Sequence, residues 1–132
     1  MRRVVLILGP PGAGKTTLAH TLGLDVYDLD DEQWMGSDSL FRTALRTVGA
    51  DPNAQAVVIR TGTTSRSRHA VASLCHPTET RVLATPKQTC IDRIKERNQG
   101  DVAWQLEGVE QWWASHDAQH VDTGLTPQHW TM

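Results

Sequence analysis

The apolar positions of this chain fall into short solid blocks and helical stripes, and the two kinds alternate. Val4, Val5, Leu6, Ile7 and Leu8 form one aliphatic run, the pattern of a strand buried on both faces. A glycine-rich turn follows, then a helix over 15–22. Residues 25–29 read as a second strand. Ser37 can cap a helix that puts Leu40, Phe41, Ala44, Leu45 and Val48 on one face and stops at Gly49. Residues 56–59 read as a third buried strand, and Ser65 can cap a helix running to about Leu74. A shorter fourth strand is expected over 81–84. Thr85-Pro86 supplies a cap followed by proline in the first turn, opening a helix that buries Cys90, Ile91 and Ile94. Residues 98–101 break it. A helix over 103–115 turns Leu106, Val109, Trp112 and Trp113 inward. A last short strand is expected over 120–123, and Thr126-Pro127 opens a final turn.

Strand and helix alternating through short connections predict an α/β domain with a parallel sheet and right-handed crossovers. The 132 residues fit one domain over 1–132, with no repeat, linker or low-complexity stretch. No apolar run is long enough to cross a bilayer, so no membrane association is expected. The run after Met1-Arg2-Arg3 is too short for a signal-peptide core. A cytoplasmic protein is therefore expected, in the host cytoplasm if phage-encoded. Cys75 and Cys90 stand apart from each other and from any zinc-type His spacing, which predicts buried free thiols.

The net charge of −2 excludes a strongly basic nucleic-acid coat but not a local basic groove. Residues 25–38 hold six acids and no Lys or Arg, whereas 60–97 hold eight bases against three acids. Ten of the thirteen bases are Arg, the side chain suited to bidentate phosphate contacts.

The strongest chemical signal lies between the first strand and the first helix. Gly9-Pro10-Pro11-Gly12-Ala13-Gly14-Lys15-Thr16 matches G-x-x-x-x-G-K-[ST] in full. Glycines let the backbone fold into a cup whose N–H groups point at phosphate oxygens, and the helix adds its N-terminal dipole. Gly9, Gly12, Ala13, Gly14, Lys15, Thr16 and Thr17 are the expected nucleotide-binding residues. Lys15 reaches the β- and γ-phosphates, Thr16 ligates Mg²⁺, and Thr17 holds the α-phosphate region. A GTPase would show Asp-x-x-Gly after the third strand and Asn-Lys-x-Asp for guanine; here Arg60-Thr61-Gly62 follows that strand, and Asn-Lys-x-Asp does not occur. Motor and ring-forming ATPases need a longer chain.

On these residues the chain resembles the P-loop kinase superfamily. Within it, the resemblance is to the small phage and actinobacterial kinases related to phage polynucleotide 5′-kinase, including phage kinases of 5-hydroxymethyluracil DNA. Tyr27-Asp28-Leu29-Asp30-Asp31 looks like the Asp-Asp segment after the second strand, whose first Asp is a general base in polynucleotide kinases. Thr85-Pro86 through Cys90, Arg93 and Arg97-Asn98 looks like the helix entering the lid, with arginines facing the transferred phosphate. The segment ending in Trp112-Trp113 is similar to small actinobacterial and actinophage kinases. The resemblance implies strand order 2-3-1-4-5, ATP-Mg²⁺ as donor and transfer to a hydroxyl. It departs at Arg60, where an acid often helps hold the metal, and in a short lid, about 97–103, where Gln99-Gly100-Asp101 replaces further arginines.

Phosphoryl transfer needs in-line positioning, charge neutralisation and an acceptor for the hydroxyl proton. Asp30, just beyond a strand's carboxyl end, is the candidate general base, with Asp31 as runner-up and Asp28 as a metal-supporting group. Arg93 and Arg97, four apart, share one helix face and form a candidate phosphate clamp; the competing reading is a solvated face paired with Asp92 and Glu96. Arg60, Arg66 and Arg68 flank a loop that would face the acceptor. Trp34 is a candidate base-stacking residue, with core packing as the alternative, while Trp104, Trp112 and Trp113 are assigned to the core.

The sequence thus predicts a kinase whose catalytic residues are Lys15, Asp30, Arg93 and Arg97, using ATP and Mg²⁺. The expected acceptor is a nucleic-acid-related hydroxyl: 5-hydroxymethyluracil in phage DNA, a 5′-hydroxyl end, or a free nucleoside or metabolite. An ATP-binding regulatory module with little transfer activity is the alternative of a different class.

Overall fold

A computed structural model describes residues 1–115 and the backbone of 127–129. Among these residues five parallel strands form one sheet in the order β2-β3-β1-β4-β5. They are β1 (Arg3–Leu8), β2 (Asp25–Asp28), β3 (Gln55–Arg60), β4 (Glu79–Val82) and β5 (Pro127–His129). The helices are α1 (Lys15–Thr21), α2 (Asp38–Ala50), α3 (Ser65–Cys75), α4 (Lys87–Arg97) and α5 (Val102–Ser115), with a 3₁₀ turn at Glu32–Trp34. Both the α/β class and the strand order match the expectation.

The aliphatic run occupies the centre because it can bury both faces. Val4, Leu6 and Leu8 point into one core, with Phe41, Leu45, Val48, Val71 and Trp112. Val5 and Ile7 point into the other, with Leu18, Ala19, Cys90, Ile94 and Val109. The register sets Leu8 beside Arg60 and Asp28 beside Ile59, so β1, β2 and β3 end at one level. The loops that leave these ends therefore converge, as ligand-binding loops of open α/β sheets do.

Several boundaries differ from the sequence expectation, each for a local reason. β4 begins two residues early, at Glu79 instead of Arg81. Its acid is neutralised by Arg3 at 3.2 Å and Arg81 at 2.9 Å, and pairing ends where β1 turns away at Gly9. The cap of α3 is Thr64, one residue before Ser65. The Thr64 hydroxyl accepts from the Ser67 N–H, and the Ser67 hydroxyl accepts from the Thr64 N–H, each at 3.1 Å. Thr85 does not cap α4; Pro86 takes that position, and the buried Thr85 hydroxyl donates instead to the Ala13 carbonyl at 2.9 Å. Ser37 does cap α2, accepting from the Leu40 N–H at 3.2 Å. Leu40 itself is exposed, because the buried stripe runs through Phe41, Ala44, Leu45 and Val48. Pro127 opens an edge strand, a position that asks no N–H of the ladder. The strand expected over 120–123 and the turn residue Thr126 lie outside the described residues.

Gly49 does not stop α2, which runs on to Ala50. The glycine serves packing instead: a methyl group there would press into the Leu74 carbonyl oxygen of α3 and reach within 3.0 Å of His76. Gly49→Ala is expected to lower stability by about 2–4 kcal/mol by forcing α2 and α3 apart, read as a shift of the urea midpoint at unchanged slope.

Both cysteines are buried and free, as expected. Burial pushes the Cys75 thiol up to about 11 and raises that of Cys90 as well, so neither is a ready nucleophile at neutral pH. No helix among the described residues is long and apolar enough to cross a membrane.

Candidate active site

The loop between β1 and α1 is shaped by two glycines with positive φ, Gly12 at 77° and Gly14 at 97°. Gly12 also lies so close to α4 that a Cβ would meet the Cys90 carbonyl oxygen at 2.8 Å. Gly9 packs as tightly on Leu83, and Ala13 is buried, so the cup is fixed from behind by α4 and the segment after β4. Gly14 ends the loop as the N-terminal cap residue of α1, and no side chain occupies the helix's leading N–H groups.

Lys15 is held inside this cup. Its Nζ donates to the Gly9 carbonyl at 2.5 Å and to the Pro10 carbonyl at 3.3 Å. Burial is the main reason its pKa falls to about 8; Asp28 and Asp30 pull it back up, and Arg60 pushes it further down. These four side chains therefore share one electrostatic neighbourhood. Asp28 ends β2 half-buried, and its carboxyl is raised above the ordinary range by burial first, then by the charges of Asp30 and Asp31. Asp28 Oδ1 accepts the Asp30 N–H at 3.1 Å, fixing the turn that carries Asp30 into the open.

A cleft of about 1160 Å³ unites these groups. Its floor is the phosphate loop from Pro11 to Thr17. Asp28, Asp30 and Glu32 form one side, and Arg60 and Thr61 at the end of β3 continue it. Arg97, the connection through Asp101 and the first turn of α5 complete its lining. Thr16 and Thr17 are exposed on the floor, where their hydroxyls can meet a ligand. The oxygen donors Thr16, Asp28 and Asp30 suit a hard divalent cation that keeps several waters. Among the described residues no three His, Cys, Asp or Glu side chains gather into a metal cage, so the chain's own share of such an ion is small.

The arginines expected near the transferred phosphate separate into distinct positions. Arg97, in the last turn of α4, lines the cleft and donates to Gln105 Oε1 at 3.3 Å. Arg93, one turn earlier, is half-buried behind the loop and donates to the Gly12 carbonyl at 3.3 Å. Arg60 lies over the Phe41 ring, 5.7 Å from its centroid, with the cleft on its other side. Arg68 is buried and donates to the Gly62 carbonyl at 3.0 Å, while Arg66 is exposed on the first turn of α3.

The tryptophans also sort in an unexpected way. Trp34 packs with Tyr27 and against Phe41, an edge of the core, away from the cleft lining. Trp112 is fully buried, and its Nε1 donates to the Thr61 carbonyl at 2.8 Å. Trp104, assigned to the core from sequence, is 67% exposed and lines the cleft. Gln99, Asp101 and Gln105 join it there, and sequence reasoning did not single them out as site residues. The periodicity held the clue: at 100° per residue Trp104 points roughly 140° away from Val109, off the buried stripe.

Where a short lid was expected over about 97–103, α4 and α5 are joined by residues 98–101. Asn98 closes α4 in the left-handed conformation, and the Asp101 carboxylate accepts the Trp104 N–H at 2.9 Å. Gln105 ties the connection down, its Nε2 donating to the Gln99 carbonyl at 2.7 Å and the Asp101 carbonyl at 3.2 Å.

No protein-family model matches this chain, and no curated protein matches it in sequence. Its fold is nevertheless similar to solved structures over almost the whole length. A sugar kinase from Janibacter sp. HTCC2649 superposes with a TM-score of 0.72 at 17% identity, covering 99% of this chain and 86% of that one. A gluconokinase from Sinorhizobium meliloti 1021 gives 0.66 at 12% identity, covering 98% and 82%. A shikimate kinase from Bacteroides thetaiotaomicron gives 0.59 at 16% identity, covering 98% and 85%. The chain shares the α/β fold of these three kinases.

Proposed function

We propose that this protein is a kinase that transfers the terminal phosphoryl group of Mg²⁺-bound ATP to a hydroxyl of a small acceptor. The observation that carries the reading is a single cleft in which a complete phosphate loop, with its lysine, faces the exposed carboxylate of Asp30. The loop's N–H groups and Lys15 hold the β- and γ-phosphates, and Thr16 adds its hydroxyl to the coordination of the Mg²⁺ that arrives with the nucleotide. That ion supplies charge neutralisation at the terminal phosphate. The acceptor oxygen attacks the γ-phosphorus, forming a new O–P bond as the bond to the bridging oxygen breaks and ADP leaves. Asp30 takes the hydroxyl proton, and Arg97 supports the transferred group.

The kinase fold shared with sugar, gluconate and shikimate kinases supports a small acceptor. A DNA acceptor such as 5-hydroxymethyluracil draws its support from the sequence resemblance and from Arg60 on the cleft. The carboxylates of Asp28, Asp30 and Glu32 on that same side oppose a polyanion.

The test is transfer of labelled γ-phosphate from ATP-Mg²⁺ to a panel: nucleosides, monosaccharides, sugar acids, duplex DNA containing 5-hydroxymethyluracil, and DNA with free 5′-hydroxyls. Label on a small hydroxylated compound, lost in Lys15→Ala, is the expected result. Label on DNA alone, falling steeply as salt rises, would replace the small acceptor with a polymer. Tight ATP binding with label on no acceptor would leave an ATP-binding module and end the kinase reading.

A further inference from the structure

The first turn of helix α5 lines the cleft, and three contacts fix where the helix runs. Gly108 lies against the loop, so that a Cβ there would meet Pro11 Cγ at 3.0 Å. Trp112 bonds to Thr61 just beyond β3. Gln105 is bound to the lid connection. Pro11 stands at the end of the loop away from Thr16 and Thr17, beside the Gly9 and Pro10 carbonyls that receive Lys15. The helix therefore runs past the loop at Pro11 to the residue after β3. Its first turn, with Trp104 and Gln105, lines the same cleft as Asp30 and Glu32.

Trp104 sits in the first turn of this helix. Four large hydrophobic side chains are exposed among the described residues, and Trp104 is the one that lines the cleft; Met1, Met35 and Leu40 do not. Its backbone is pinned by Asp101, so the indole stands on a fixed base. An exposed indole at a polar cleft is the usual means of holding the flat apolar face of a ring, with polar neighbours fixing its orientation. The charges narrow the choice. Lys15, Arg60 and Arg97 face the carboxylates of Asp28, Asp30, Glu32 and Asp101, and a bound triphosphate makes the cleft more negative still.

We infer that Trp104 is the stacking platform of the acceptor subsite, and that the acceptor is an uncharged, ring-bearing polyhydroxyl compound. This rests on the proposed kinase reading. The acceptor's ring lies against the indole, while Asp30, Glu32 and Gln99 offer hydrogen-bond partners to its hydroxyls. A sugar ring and a nucleoside base share the required flat face.

The experiment uses the whole protein with a non-hydrolysable ATP analogue and Mg²⁺, and titrates D-glucose, myo-inositol, uridine and 5-hydroxymethyl-2′-deoxyuridine. Glycerol serves as a ringless control and D-gluconate as an anionic one. Binding is followed by calorimetry in wild type, Trp104→Phe and Trp104→Ala, and ADP-Mg²⁺ is titrated separately. The proposal expects at least one uncharged ring to bind, with affinity falling about tenfold or more in Trp104→Ala and largely kept in Trp104→Phe, and ADP affinity unchanged. Sugars and nucleosides are told apart by which ring binds. Three results would overturn it: loss of ADP affinity instead, which makes the indole part of the donor site; equal binding by all three proteins; or binding of gluconate alone or of no ring at all. The ADP titration of the wild type judges the kinase reading independently, since failure there leaves no donor site.

Discussion

Lys15→Ala is expected to lower the rate of the proposed phosphoryl transfer by about three orders of magnitude or more, while the unliganded protein gains stability. Both effects come from one placement. Folding puts an ammonium group into a cup of backbone with the Gly9 and Pro10 carbonyls as its direct partners, and burial drops its pKa to about 8 from the ordinary 10.5. The unfolded chain therefore binds this proton more tightly than the folded one. Between about pH 8 and 10.5 the unfolded state carries more protons, so stability rises with pH across that window; below pH 8 the full penalty remains. Removing the amine at pH 7 lifts that penalty by about 1 kcal/mol, after discounting for the partial solvent access of the side chain. A phosphate ligand reverses the sign. Bound β- and γ-phosphates raise the lysine's pKa, so nucleotide binding takes up a proton above pH 8, and affinity falls by up to tenfold per unit as pH rises through about 8. Calorimetry in two buffers of different ionisation enthalpy measures that uptake. A wild type whose nucleotide affinity is flat from pH 7 to 10, or a Lys15→Ala protein that transfers phosphate normally, contradicts this placement.

The phosphate loop was legible in sequence because its chemistry is local. A buried strand, glycines that reach positive φ and a helix start are all written within residues 4 to 22. What depends on partners distant in sequence was not legible. Glu79, Thr80 and Arg81 look unlike a buried strand, and the Glu79 carboxylate is accommodated there by ion pairs with Arg3 and Arg81. Arg93 and Arg97 do share a helix face, but that spacing cannot tell which neighbour each finds. One reaches the back of the loop at Gly12, and the other reaches the cleft. The Thr85 hydroxyl was equally available as a cap, and burial beside Ala13 gave it to the loop. Trp104 was misplaced by residue type, grouped with Trp112 and Trp113 as core, although its angular position set it apart. The acid missing from the end of β3 has a structural counterpart: Arg60 rests on Phe41, while Asp28 on the neighbouring strand brings a carboxylate to the same level.

In the proposed reaction Asp28 and Asp30 are expected to have different work. Asp30 is exposed on the cleft, with its backbone held by Asp28, whereas Asp28 is half-buried and raised above the usual carboxylate range by its surroundings. A proton acceptor must reach the acceptor's hydroxyl, which favours the exposed group; a group beside the lysine and the metal-bound phosphates serves better as a fixed charge. Asp30→Ala is therefore expected to lower kcat by about two to four orders of magnitude, with nucleotide affinity within about twofold of wild type. Asp28→Asn keeps an oxygen that can accept the Asp30 N–H but removes the charge that lifts the Lys15 pKa. Its expected effect falls on the pH dependence of nucleotide binding, whose midpoint moves below 8, more than on kcat at neutral pH. The two variants thus separate in opposite columns of the same table of kinetic and binding constants. If Asp28→Asn silences transfer while Asp30→Ala leaves it near normal, the roles are exchanged. If both proteins bind ATP as before and turn over at the wild-type rate, neither carboxylate takes the hydroxyl proton, and the pair serves only to hold the lysine.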